Sequence, residues 1–189
     1  MHLVWDDNVN GEVWVEDDFP NIKYFFDCVC EYEILGKKIL CIPGAYSVDK
    51  QYRIMNKWQW FPSEQLNQTE RKECFDKLVR SEYDLVLSHT CPLSWQPTDL
   101  FLSCIDQSKV DNSMEYFLEN LKENMMWDIW LFGHYHDDRV VRPRVQMLFD
   151  KVYHLDTLMF NWFNPKWKIP ANTKLDPNFE KPIFKDLIE

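Results

Sequence analysis

The run Trp130-Leu131-Phe132-Gly133-His134-Tyr135-His136 sets two imidazoles one residue apart, behind an apolar stretch and a glycine. In an extended loop alternate side chains point the same way, so His134 and His136 are expected to reach one polar site. Asp84-Leu85-Val86-Leu87-Ser88-His89 repeats the plan and continues into Thr90-Cys91-Pro92. Three of the five histidines therefore follow apolar strand-like runs. Open α/β sheets hold their ligands at such strand ends. Neutral imidazoles suit Mn, Zn, Fe or Ni. Spacing alone leaves two readings open: metal ligands, or histidines hydrogen-bonded into their own loops.

The elements that must position these residues are legible in part. Residues 1–20 are acidic and read as irregular, with a short strand at Glu12–Val15. The β-branched and aromatic run from Ile22 to Ile34, a turn at Leu35-Gly36-Lys37-Lys38 and Ile39–Ile42 read as a hairpin ended by Pro43-Gly44. Ser47 is placed to cap a helical turn reaching Arg53. Ser63 is placed as N-cap of a helix to about Arg80, with Glu64 suiting its dipole. Asp84–Ser88 reads as a buried strand, and residues 90–110 as a long loop.

Met114, Phe117, Leu118 and Leu121 fall at helical spacing, which predicts a helix over Asn112–Asn124. Asn112 and Glu115 resemble its capping box. Trp127–Phe132 is the next strand. Val140–Val141, Gln146–Phe149 and Val152–Leu155 read as short closing strands. Beyond residue 160, prolines at 165, 170, 177 and 182 leave a tail anchored by Trp162, Phe163 and Trp167. The expected division is a domain over 1–160 and a tail over 161–189. The order of elements is that of a mixed α/β fold with helices covering a sheet.

Bulk composition narrows the function classes. A hydrophobic content of 46% is enough for a core, whereas four glycines are few for an α/β enzyme with phosphate or metal loops. A formal charge of −10 gives no indication of nucleic-acid binding, although a metal site can still attract a phosphate locally. The six cysteines have no C-x-x-C spacing and read as reduced thiols of a cytoplasmic protein. The N-terminal stretch has no basic region leading into an apolar run, so it does not read as a signal peptide. No window has the length of a membrane span.

Ser88-His89-Thr90-Cys91-Pro92 followed by Gly133-His134-Tyr135-His136 resembles the last two motifs of the calcineurin-like metallophosphoesterases. Pro43-Gly44-Ala45-Tyr46-Ser47-Val48-Asp49-Lys50, Tyr52-Arg53 and Trp60-Phe61-Pro62-Ser63-Glu64 resemble the connecting region of bacterial and phage members. The likeness runs from about Gly11 to about Thr157. It implies a partial four-layer α/β/β/α sandwich and a dinuclear site that hydrolyses phosphoric mono- or diesters. His89 and His134 would serve one divalent metal, and His136 the other. Ser47, Asp49 and Arg53 would lie on a loop near the site, Arg53 as a substrate-binding residue.

The family's D-x-H, G-D and G-N-H motifs, which carry the remaining ligands, have no counterpart in these residues. The chain thus resembles the C-terminal portion of such a domain, without its first strand–helix units. No residue is assigned as catalytic. His2 follows no Gly-Asn, and His154 matches no motif. Three imidazoles without a bridging carboxylate do not offset the repulsion between two close dications.

Three functions follow. One is a phosphoesterase acting on a phosphorylated substrate once an N-terminal fragment completes it. Another is a non-catalytic remnant or interaction module, with self-association through an exposed sheet face. The third is a mononuclear hydrolase or nuclease using the three histidines alone.

Overall fold

The computed structural model describes residues 1–26, 28–164, 166 and 168–179. The N-terminal stretch expected to be irregular is an antiparallel meander. It comprises β1 (His2–Asp6), β2 (Gly11–Glu16) and β3 (Phe19–Phe25). Its organising feature is alternation in Gly11-Glu12-Val13-Trp14-Val15-Glu16, where Val13 and Val15 are buried and Glu12 is exposed. High acidity hid this pattern, because the charges occupy the solvent-facing positions and the turns.

The hairpin is β4 (Cys30–Ile34) with β5 (Lys37–Ile42). The Ile22 end of the predicted first arm belongs to β3 instead. Leu35 and Gly36 both adopt positive φ, 53° and 70°. That is the requirement of the two-residue turn whose twist suits flanking strands. The turn is one step tighter than the four-residue reading.

A short helix α1 (Lys50–Met55) follows, with no side-chain cap from Asp49, and Ser47 lies outside it. Pro62–Glu64 is only a single 3₁₀ turn. The helix expected from Ser63 begins later, as α2 (Gln68–Leu78). Asn67 caps it by accepting from the backbone N–H of Thr69 and Glu70, while the Glu70 carboxylate accepts from the Asn67 N–H. The reciprocal box fixes the start that Ser63 was expected to provide.

Strand β6 (Glu82–Ser88) leads into three 3₁₀ turns between residues 93 and 109, where a loop was expected. Helix α3 (Ser113–Asn124) buries Met114, Phe117, Leu118 and Leu121 as the spacing predicts. The expected capping box does not form. Asn112 Oδ1 instead accepts from Gln96 Nε2 at 2.9 Å, and Glu115 is buried. Strands β7 (Met126–Phe132), β8 (Arg139–Arg142) and β9 (Val145–Met147) complete the sheet. The run read as a last strand at Val152–Leu155 is not a strand: its final residue, Leu155, opens helix α4 (Leu155–Phe163). This helix crosses the expected boundary at residue 160. Trp162 is buried, Phe163 is 44% exposed and so a poor anchor, and Trp167 lies outside the described residues.

The main sheet has the order β4-β5-β6-β7-β9-β8, with β5, β6, β7 and β9 mutually parallel and the two outer strands antiparallel. The protein is thus mixed α/β. On one face Leu40, Ile42, Val86, Trp130 and Phe132 pack with α2 and α3 residues. On the other, Ile39, Cys41, Leu85, Ile129 and Leu131 pack with Val13 and Val15 of β2 and with Leu158, Met159 and Trp162 of α4. Each fully buried aliphatic side chain contributes on the order of 1.5–3 kcal/mol by leaving water. Both faces of the six-stranded sheet are covered. Exposed apolar side chains on the small sheet include Trp5, Phe19, Ile22 and Tyr24.

Arg139 joins separate parts of the chain. Only 2% exposed, it donates to Asp137 at 2.8 Å, Asp99 at 3.1 Å and Asp176 at 3.2 Å. Asp99 sits in the long connection and Asp176 in the C-terminal segment, so one guanidinium ties both to the sheet. Arg139→Ala leaves the buried Asp176 without its cation, although Lys174 still pairs Asp137 at 2.7 Å, and should cost about 3–5 kcal/mol. Urea unfolding checks this, and a loss below about 1 kcal/mol would show that the cluster is dispensable.

Candidate functional site

The parallel ladder aligns Ile42 with Ser88 and Ser88 with Phe132, and Phe132 pairs Met147. The residues that follow these strand ends therefore emerge along one edge. Backbone bonds extend the ladder into the loops: His89 N–H donates to Ile42 O, Gly133 N–H to His89 O, and Leu148 N–H to Phe132 O, at 2.8–3.0 Å. His89 and Gly133 are thus held by the main chain before any side-chain contact forms.

Beneath them lies a buried polar chain. Trp130 Nε1 donates to Ser88 Oγ at 2.8 Å, and Ser88 Oγ donates to Thr90 O at 2.6 Å. Thr90 Oγ1 donates to Glu115 Oε1 at 2.7 Å and lies 3.1 Å from the Tyr135 hydroxyl. The His89 loop is thereby tied to the His134 loop from below. Burial holds the Glu115 carboxyl above its usual range, opposed by the Thr90 hydrogen bond.

The loop after β7 is not extended as its sequence suggests. His134 and His136 have φ of 71° and 55°, the left-handed region that non-glycine residues seldom occupy. Each such residue costs on the order of 1–3 kcal/mol and persists where its surroundings fix it. The result separates the two imidazoles. His134 turns to His89, with His134 Nδ1 3.3 Å from His89 Nε2. The His136 ring stacks on Phe149, centroids 4.9 Å apart. All three line one cavity of about 870 Å³.

Ser47, Asp49, Arg53 and Glu64 line the same cavity. Ala45 N–H donates to Glu64 O at 2.9 Å, which joins the Pro43–Tyr46 segment to the 3₁₀ turn at Glu64. Gly44 has φ of 99°, and a Cβ there would meet Glu64 O at 3.1 Å, so glycine is required for this approach. Arg53 is engaged by Asp49 at 2.8 Å and Glu64 at 3.4 Å. Ser47 Oγ donates to Asp49 at 3.1 Å. Arg53 thus reaches the cavity but is already neutralised there.

Burial first, and then the neighbouring His89 and His136, depress His134 to about 4. Burial and His136 lower His89, opposed by Glu64. At pH 7 both rings are neutral and the contact is an N–H···N hydrogen bond whose donor is set by the tautomer; a metal between them would replace that proton. Two nitrogens held at about 2.0–2.1 Å by one tetrahedral ion lie roughly 3.3 Å apart, which matches the His89–His134 separation. The donor set fits one ion held by two imidazoles. Among the described residues no group of three His, Cys, Asp or Glu side chains converges as a metal site, and no carboxylate bridges the pair.

Glu64 and Glu115 line the cavity although the sequence suggested only helix-terminal roles for them. A signal for Glu115 existed: it sits three residues before Leu118, at the border of the apolar stripe. No family model, curated protein or solved structure matches the chain.

The depressed basicity has a direct readout. Because the fold favours the neutral ring, His134 contributes stability that is complete above its unfolded pKa of about 6.5 and is lost as pH falls toward 4. Ring-nitrogen NMR of the metal-free protein should show His134 unprotonated at pH 5.5. A midpoint near 6.5 would contradict the buried pairing.

Proposed function

We propose that these 189 residues form the histidine wall of a metal-dependent phosphoesterase site in a partial metallophosphoesterase sandwich. The observation that carries this reading is the 3.3 Å approach of His89 Nε2 and His134 Nδ1 at two adjacent parallel strand ends. In this reading His89 and His134 hold one divalent ion, drawn from Mn, Zn, Fe or Ni, and His136 faces a second position. The bound metal supplies Lewis-acid activation of a phosphoric ester. Arg53 contacts the phosphate only after leaving Asp49 or Glu64, so substrate anion and carboxylates compete for it. The carboxylate ligands come from a further polypeptide segment, and the histidine wall alone is inactive. Cysteines that carry no disulfide among the described residues suit a cytoplasmic location. Among the described residues no helix is long and apolar enough to cross a membrane.

A non-catalytic reading is favoured by one observation: among the described residues no carboxylate bridges the imidazole pair. In that reading the chain is an interaction module, and the exposed β3 side chains Phe19, Ile22 and Tyr24 offer a surface for self-association.

Calorimetric titration of the chain with Mn²⁺ or Zn²⁺ should give one ion per chain. His89→Ala and His134→Ala should each weaken it at least about tenfold, the scale on which metal sites respond to altered surroundings. Binding indifferent to both substitutions would remove the metal assignment. Adding an N-terminal phosphoesterase fragment with the D-x-H, G-D and G-N-H motifs should then produce Mn²⁺-dependent hydrolysis of p-nitrophenyl phosphate. Metal binding without any gain over either piece would support the non-catalytic reading.

A further inference from the structure

Cys30 and Cys41 occupy directly opposed positions in the antiparallel β4–β5 ladder. Directly opposed residues have Cα atoms about 4.5–5.5 Å apart, within the span of about 4.4–6.8 Å that a disulfide bridges. Both side chains lie on the same face of the sheet. Cys41 belongs to the cluster beneath β2 and α4, and Cys30 packs against that cluster. The two thiols are free.

Their environments differ in a way that assigns roles. Cys30 is half-buried, so a small solute reaches it, whereas Cys41 is 6% exposed. The Cys30 thiol is lowered to about 7, chiefly by a hydrogen bond with Cys41, with further help from Tyr32 and the Lys77 charge and against the effect of burial. The Cys41 thiol is raised by the same contact and by burial. A thiolate at neutral pH is the nucleophilic form, and its opposed thiol is placed to resolve the oxidised product.

We propose that Cys30 and Cys41 form an oxidation site for hydroperoxides, closing to a reversible cross-strand disulfide. The Cys30 thiolate attacks the peroxide oxygen. The O–O bond breaks, and the leaving oxygen departs as the alcohol, or as water from hydrogen peroxide, after taking a proton. Cys41 sulfur then attacks the Cys30 sulfenic acid. The S–O bond breaks, the Cys41 proton leaves with the hydroxide as water, and the S–S bond forms. One peroxide is reduced by two electrons as the two thiols are oxidised.

The bridge fastens β4 to β5, and β5 runs directly into Pro43 and Gly44 of the cavity wall. The site stands on the hairpin alone and does not depend on metal binding.

The test treats the reduced full chain with hydrogen peroxide, counts thiols after denaturation, and maps linkages in an unreduced tryptic digest. Cleavage after Lys37 and Lys38 places Cys30 and Cys41 on separate peptides. The expected result is a loss of two thiols, a Cys30–Cys41 linked pair, and full recovery with dithiothreitol. Cys28→Ser should leave all three unchanged, because the exposed Cys28 is not required. Cys41→Ser should instead accumulate a dimedone-reactive sulfenic acid at Cys30. A bridge through Cys28, irreversible oxidation of Cys30, or no loss of thiols in the unsubstituted chain would each overturn the proposal.

Discussion

The in-register parallel ladder across β5, β6, β7 and β9 is the constraint on which the site depends. It places Ile42, Ser88, Phe132 and Met147 in one row, so the loops that follow begin side by side. The bonds from His89 N–H to Ile42 O and from Gly133 N–H to His89 O carry the register one residue beyond the strands. A slip of one residue in β6 would turn Leu85 and Val86 to the wrong faces of two different cores. Packing on both faces therefore enforces the alignment that brings the imidazoles together.

Order above the sheet comes from a second, polar layer. The hydrogen-bonded chain from Trp130 through Ser88 and Thr90 to Glu115, with Tyr135 beside it, lies directly under the histidine loops. It fills the space where the loops turn and fixes their heights. The left-handed conformations of His134 and His136 are sustained on this base. Their cost is recovered from the surrounding packing, as is usual where strain accompanies a site. The outcome is a neutral imidazole pair in one cavity with Arg53 and its two carboxylates.

Much of this was legible in the sequence, for identifiable reasons. The apolar runs before His89 and Gly133 gave β6 and β7, because strands covered on both faces are continuously apolar. The spacing of Met114, Phe117, Leu118 and Leu121 gave α3. The misses arose where tertiary context outweighed local pattern. Asn67 and Glu70 set the start of α2 through a reciprocal box, while Ser63 looked equally suited. Leu155, Leu158, Met159 and Trp162 fall at the same helical spacing that gave α3, but Phe160 and Phe163 put apolar rings on the exposed side and blurred the stripe. In the site, alternation predicted His134 and His136 side by side. Positive φ at both residues, which nothing in Gly-His-Tyr-His announces, sends one to His89 and the other to Phe149.

The central claim is that His89 and His134 hold a single divalent ion between their facing ring nitrogens. X-ray absorption spectroscopy of the zinc-loaded chain examines that ion's own surroundings. The account predicts imidazole scattering from two histidines at about 2.0–2.1 Å, reduced to one in His134→Ala. A shell of oxygen atoms without imidazole, or sulfur at about 2.3 Å from the cysteines, would contradict it.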